Sequence, residues 1–147
     1  MNKESFLPNK IRLSFKRPER KERPLITSPS KAIKELRSVI EEDILDLKEQ
    51  CWVLLLAADN HLLGISEINY GAIAGVSMYA REVFQLALIS NAINIILVHN
   101  HPSGDLNPSD VDLQIIKKIK KIGKFMKIEI IDFVIITSED HNTIKTY

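Results

Sequence analysis

Val98-His99-Asn100-His101-Pro102-Ser103-Gly104-Asp105-Leu106-Asn107-Pro108-Ser109-Asp110-Val111-Asp112 reads as a strand end, a tight turn and a helix start. His99 and His101 close an apolar run, and side chains at i and i+2 of a strand share a face. The two imidazoles therefore converge. Pro102-Ser103-Gly104-Asp105 turns the chain. Asn107 is expected to cap the next helix, with Pro108 at its first position and Asp110 where a capping-box acid sits. Asp112 falls in the second turn beside Ile115, Ile116 and Ile119, so it is predicted to face inward toward the strand end. Two histidines and one carboxylate are three protein ligands. A fourth tetrahedral position left to water is the pattern of a catalytic zinc site rather than a structural one.

Taken singly, these features are weak. A histidine pair two apart is by itself a weak signal of metal binding. Asp105, Asp110 and Asp112 suit turns and caps. The weight lies in the order: histidine pair, tight turn, capped helix and inward carboxylate, all within residues 99–112.

Upstream, residues 93–98 (INIILV) read as a buried strand and residues 78–90 as an amphipathic helix. Residues 51–58 (CWVLLLAA) form a continuous apolar run, the mark of a strand covered on both faces. Asp59-Asn60 is a turn, so residues 51–69 are predicted to form a hairpin. Gly71 and Gly75 mark a loop. Ser28-Pro29 opens a helix, and Ala32, Ile33, Leu36, Val39 and Ile40 carry its period to about Ile44. Downstream, Val111, Ile115, Ile119 and Ile122 are the expected buried stripe of the third helix, which Gly123 is expected to stop. Lys117, Lys118, Lys120, Lys121 and Lys124 read as its solvated face. Residues 127–137 (KIEIIDFVIIT) form the last strong strand. The order is α/β: a mixed β-sheet flanked by helices.

At 147 residues the chain suits one domain. The division expected is a basic, extended or flexible N-terminal arm, residues 1–27, followed by a domain over 28–147. Ile11-Arg12-Leu13-Ser14-Phe15 alternates as a short strand would. A composition of 45% hydrophobic and 27% charged residues is that of a globular protein. The longest apolar run has eight residues, too short to cross a bilayer, and no signal peptide is evident. The single cysteine, Cys51, cannot form an internal disulfide, so a reducing cytoplasm is the expected location. It reads as a core residue. Net charge is +1, yet residues 1–31 hold nine Lys/Arg and three Asp/Glu (9 − 3 = +6). The rest holds eleven against sixteen (11 − 16 = −5). The basic arm is either a solvated segment or a weak nucleic-acid contact through phosphates. His61 and His141 are expected to be exposed and unrelated to the metal.

His99-x-His101, seven residues, then Ser109-x-x-Asp112 resembles the JAMM (MPN+) metalloprotease signature residue for residue. The form HNHPSG-D-x-x-PS-x-x-D looks like the RadC branch of that superfamily. Residues 80–84 (AREVF), 91–98 (NAINIILV) and 49–56 (EQCWVLLL) extend the likeness over about residues 30–140. The resemblance implies a single JAB/MPN-type, cytidine-deaminase-like domain. It implies that His99, His101 and Asp112 ligate one Zn²⁺, that Glu49 is the general base, and that Ser109 stabilises an oxyanion. The spacing alone does not choose Glu49, because Glu67 and Glu82 are rivals. RadC-like proteins commonly carry a helix-hairpin-helix domain where residues 1–27 stand here. The C-terminal SEDHNTIKTY also differs from the usual closing segment, so the sheet edge there is expected to differ.

The first reading is a zinc-dependent amide hydrolase, a metallopeptidase or isopeptidase acting on a protein or peptide, with a possible link to DNA repair or mobile elements. The alternative is a non-catalytic DNA- or protein-binding module with a structural metal. A nuclease is disfavoured: in HNH nucleases the name denotes residues spread over a ββα unit, not the tripeptide His99-Asn100-His101.

Overall fold

The computed structural model describes residues 9–68 and 80–145. The loop expected around Gly71 and Gly75, and the first two residues of the expected second helix, lie outside the described residues. The elements run α1 (Pro29–Arg37), β1 (Cys51–Leu56), β2 (Leu62–Ile68), α2 (Ala80–Ser90), β3 (Asn94–Asn100), α3 (Asp110–Met126), β4 (Glu129–Ile136) and β5 (His141–Thr143). Five strands form one mixed sheet in the order β2-β1-β3-β4-β5. Only β3 and β4 are parallel, joined through α3; the other pairs are antiparallel. The α/β class with a mixed sheet flanked by helices is therefore as the sequence predicts.

Two apolar clusters sandwich the sheet. Cys51, Val53, Leu55, Ile95 and Leu97 face α2 and α3, meeting Phe84, Ile116 and Ile119. Trp52, Leu54, Leu56, Ile96 and Val98 face α1, meeting Ala32, Ile33 and Leu36. Every residue of β1 is buried, which explains its unbroken apolar run.

Several local expectations give way to tertiary contacts. Ser28 caps α1 as predicted, its side chain accepting from Lys31 N at 3.2 Å. That helix ends at Arg37, not near Ile44. A 3₁₀ turn, Glu42–Ile44, follows, and the Leu45 and Lys48 carbonyls accept from the buried Asn100 side chain. Arg37 donates to the Thr137 carbonyl at 2.7 Å, tying the helix end to β4. No strand forms over residues 11–15; Ile11 is 87% exposed and, among the described residues, nothing pairs with it. The first ladder contact comes later, where Leu25 bridges His61 and Ile26 enters the core. His61 and His141 are half-buried rather than exposed: His61 pairs with Asp59, and His141 Nε2 lies 3.3 Å from Ser30 Oγ. β5 adds an edge strand beside β4.

In α3 the buried residues are Asp112, Ile116, Ile119 and Gly123; of the expected stripe Ile119 is buried, Ile115 and Ile122 are half-buried against the core, and Val111 is exposed. Gly123 does not stop the helix, which continues to Met126 and closes with Lys127 in the left-handed conformation (φ 58°). Gly123 is instead a contact point: a Cβ there would collide with the Ile128 carbonyl and the Ile130 side chain. Gly123→Ala therefore sets about 1 kcal/mol of gained helix propensity against an overpacking cost of about 1–3 kcal/mol. Because one clashing atom belongs to the backbone, the melting temperature is expected to fall. A higher melting temperature would mean that the α3–β4 turn relaxes freely.

Candidate metal centre

The site stands at the C-terminal end of β3, where the strand meets the N-terminus of α3. His99 pairs with Cys51 on β1 and Ile135 on β4, so its ring lies on the α2/α3 side of the sheet. His101 continues the ladder past the strand end, its N–H donating to the Ile136 carbonyl at 3.0 Å. The two rings stand edge to face, 4.7 Å between centroids.

Asp112 meets them from α3. The helix is capped by Ser109, not Asn107, because the Asn107 backbone and side chain are both bonded to Asp105. Those two bonds also hold the Asp105 carboxyl below its usual range. With Ser109 as N-cap, Asp112 becomes the capping-box acid. Ser109 N–H and Oγ–H both donate to Asp112 Oδ2, at 2.7 and 2.8 Å, and Asp112 N–H donates back to Ser109 Oγ at 3.1 Å. The carboxylate so held faces both rings: Oδ1 is 3.4 Å from His99 Nε2, and Oδ2 is 3.3 Å from His101 Nε2.

The donor set fits a metal ion. His101 Nδ1 lies 2.7 Å from the Asp105 carbonyl, which only accepts, so Nδ1 carries the proton. In the neutral ring Nε2 then presents a lone pair to the carboxylate. Burial lowers the His99 pKa to about 4, with the Asp112 charge opposing and His101 adding to the fall, so this ring is neutral at pH 7. Neutral imidazole is the ligating form. Atoms bound at about 2.0–2.1 Å around a tetrahedral ion lie roughly 3.3–3.4 Å apart, matching the two separations. The ligand atoms of His99, His101 and Asp112 all fall within 4.8 Å of one another, so this group can hold a metal ion.

Of the three glutamates, Glu67 is turned away. It pairs with Trp52 and accepts from Gln50 Nε2 at 3.0 Å, on the α1 side of the sheet. Glu82 is half-buried in the first turn of α2. Glu49 is exposed just before β1, and extending the Cys51–His99 register by two residues sets it opposite His101. The Asn100 N–H bond to the Gln50 carbonyl, 3.2 Å, shows that the ladder does extend. Burial raises the Cys51 thiol pKa well above its usual value, and the charges of Asp112 and Glu49 add to the rise.

One residue that sequence reading passed over organises this end. Asn100 points to the other face and is fully buried. Its Oδ1 accepts from Gln50 N at 2.5 Å, and its Nδ2 donates to the Leu45 and Lys48 carbonyls at 2.8 and 2.9 Å. It braces the segment that delivers Glu49. The signal was present: a polar residue alone between two histidines in a strand otherwise apolar.

The family model for the RadC-like JAB domain matches residues 26–146. Relatives named UPF0758 protein are 46% identical over 89 residues in Flavobacterium johnsoniae (60% of this chain, 39% of the relative). In Desulfitobacterium hafniense the identity is 36% over 124 residues (84% of this chain, 53% of the relative). The chain spans about half the length, or less, of these curated relatives.

Two outcomes are expected. Zinc at about 100 times its Kd should add about 2.7 kcal/mol to the unfolding free energy. Elemental analysis and urea unfolding of the His99→Ala plus Asp112→Ala protein should show both ion and shift lost; equal stabilisation there would place the ion elsewhere. Asn100→Ala leaves buried carbonyls unpaired and should cost about 1–3 kcal/mol per group, read as a lower urea midpoint.

Proposed function

The chain belongs to the RadC-like JAB domain family, and from that premise we propose that it is a zinc-dependent amide hydrolase acting on a protein or peptide. The observation that carries the proposal is the Asp112 carboxylate held between two histidine Nε2 atoms at 3.4 and 3.3 Å. His99, His101 and Asp112 would hold the ion. A zinc ion there supplies Lewis acidity, polarising an amide carbonyl and making water nucleophilic near neutral pH.

The chain's own residues supply the rest. Glu49, exposed and opposite His101 in register, takes a proton from the attacking water and returns it to the leaving amine. Water and substrate reach it from solvent. Ser109 Oγ has one proton, which it gives to Asp112 here. A hydroxyl rotates readily, so the same proton can turn to a developing oxyanion while Oγ keeps accepting Asp112 N–H. Asp105 and Asn100 position: the first fixes the His101 tautomer, the second fixes the backbone behind Glu49.

Glu49→Gln is expected to keep its metal and lose about 10²–10⁴-fold in kcat, measured on a fluorogenic panel of peptide and isopeptide substrates. Full activity in this variant with bound zinc would transfer the base to Glu82. A parent that binds zinc and cleaves nothing in a broad panel would favour the binding-module reading.

A further inference from the structure

Basic residues from opposite ends of the sequence meet at the end of the sheet remote from the metal ligands. β3 runs from Asn94 toward His99 and β4 runs parallel to it, so Asn94 and Glu129 mark that remote end. Leu56 pairs with Asn94, which brings the β1–β2 tip there. α3 begins beside the metal ligands and ends at Met126, just before β4 starts. Against the β1–β2 tip, Arg17, Arg20 and Arg23 line a shallow concavity with Ala57, Ala58 and Asp59. Beside Asn94, Lys120, Lys124 and Lys127 line a second hollow together with one acid, Glu129. Asn94 Nδ2 donates to Asn60 Oδ1 at 2.7 Å, so one seam joins the two basic sets.

The outward face of α3 carries this charge further. At 3.6 residues per turn, Lys117, Lys118, Lys124 and Phe125 lie within about 60° of Lys121, opposite the buried Asp112, Ile116, Ile119 and Gly123. Phe125 is 90% exposed. A lone exposed aromatic is ordinary; this one stands among four lysines. Part of the charge is compensated: Arg20 pairs with Asp59 at 3.2 Å, Lys21 with Glu19 at 2.9 Å, and the Lys120 charge acts on Asp132. Among the described residues, Arg17, Lys117, Lys118, Lys121, Lys124 and Lys127 have no ion-pair partner within 4.0 Å. Arg23 Nε is buried without a hydrogen-bond partner.

We propose that this basic pole binds single-stranded nucleic acid, its lysines and arginines on phosphates and Phe125 stacked on a base. Charge complementarity calls for a polyanion, and an exposed ring suits bases free of a duplex, since every base has a π-face. A membrane-seated helix needs several apolar side chains together on one face; on α3 Phe125 stands among lysines, and the other exposed large apolar residues, Val111 and Leu113, lie about three to four turns away. The proposal stands independently of the hydrolase reading, because it uses none of the metal ligands.

The test is fluorescence anisotropy with the full chain over a salt series. The probes are a labelled single strand of mixed sequence, its duplex, and phosphatidylserine vesicles. Phe125→Ala is expected to weaken strand binding roughly tenfold with the salt slope unchanged. Lys121→Ala plus Lys124→Ala is expected to lower that slope by about 1.4, at about 0.7 per phosphate contact on a single strand. Both changes are on solvated positions, and matching melting curves would confirm the fold. Absence of strand binding at low salt, equal binding by parent and both variants, or preference for duplex or vesicles would each overturn the proposal.

Discussion

The site depends on one carboxylate that serves two structures. Asp112 closes the capping box of α3 and faces both histidine rings. It is 6% exposed, and a buried anion is costly unless it is bonded. Two donors from Ser109 and the N-terminal end of the helix dipole offset that cost. The same bonds fix its direction. The helix cap is thus the device that aims the candidate ligand, and the two imidazoles complete a set of acceptors that a cation would hold together.

Strand alternation divides the remaining work. His99 and His101 project to the α2/α3 side, where burial keeps His99 neutral. Asn100, between them, projects to the α1 side and captures the backbone of residues 45–50. A single strand end therefore sets the ligands on one face and, through β1, the height of Glu49 on that same face. Loss of the Asn100 bonds would loosen the approach to β1 without touching a ligand.

Charge is distributed along the sheet in the same sense. Asp46, Glu49, Asp105 and Asp110 are exposed near the histidine end, while Arg17, Arg20, Arg23, Lys120, Lys124 and Lys127 line hollows at the other. The net charge of +1 conceals an uneven distribution, +6 over residues 1–31 and −5 over the rest. Oriented fields of this kind act on encounter and orientation rather than on the fold.

By itself the sequence determined what is local. Apolar runs became β1, β3 and β4, Ser28 capped α1, and the candidate ligands came together because they lie within fourteen residues on a strand end and the helix after it. Short-range periodicity suffices at that separation. Tertiary structure decided the rest. Carbonyls captured by Asn100 accompany the early end of α1, and the bonds between Asp105 and Asn107 left the cap to Ser109. The close pass of Ile128 made Gly123 a contact point rather than a stop. Turning Glu67 away, setting Glu49 opposite His101 and joining two basic segments at one pole all required strand register. Register is a long-range property: it is chosen by packing between residues that local patterns cannot relate.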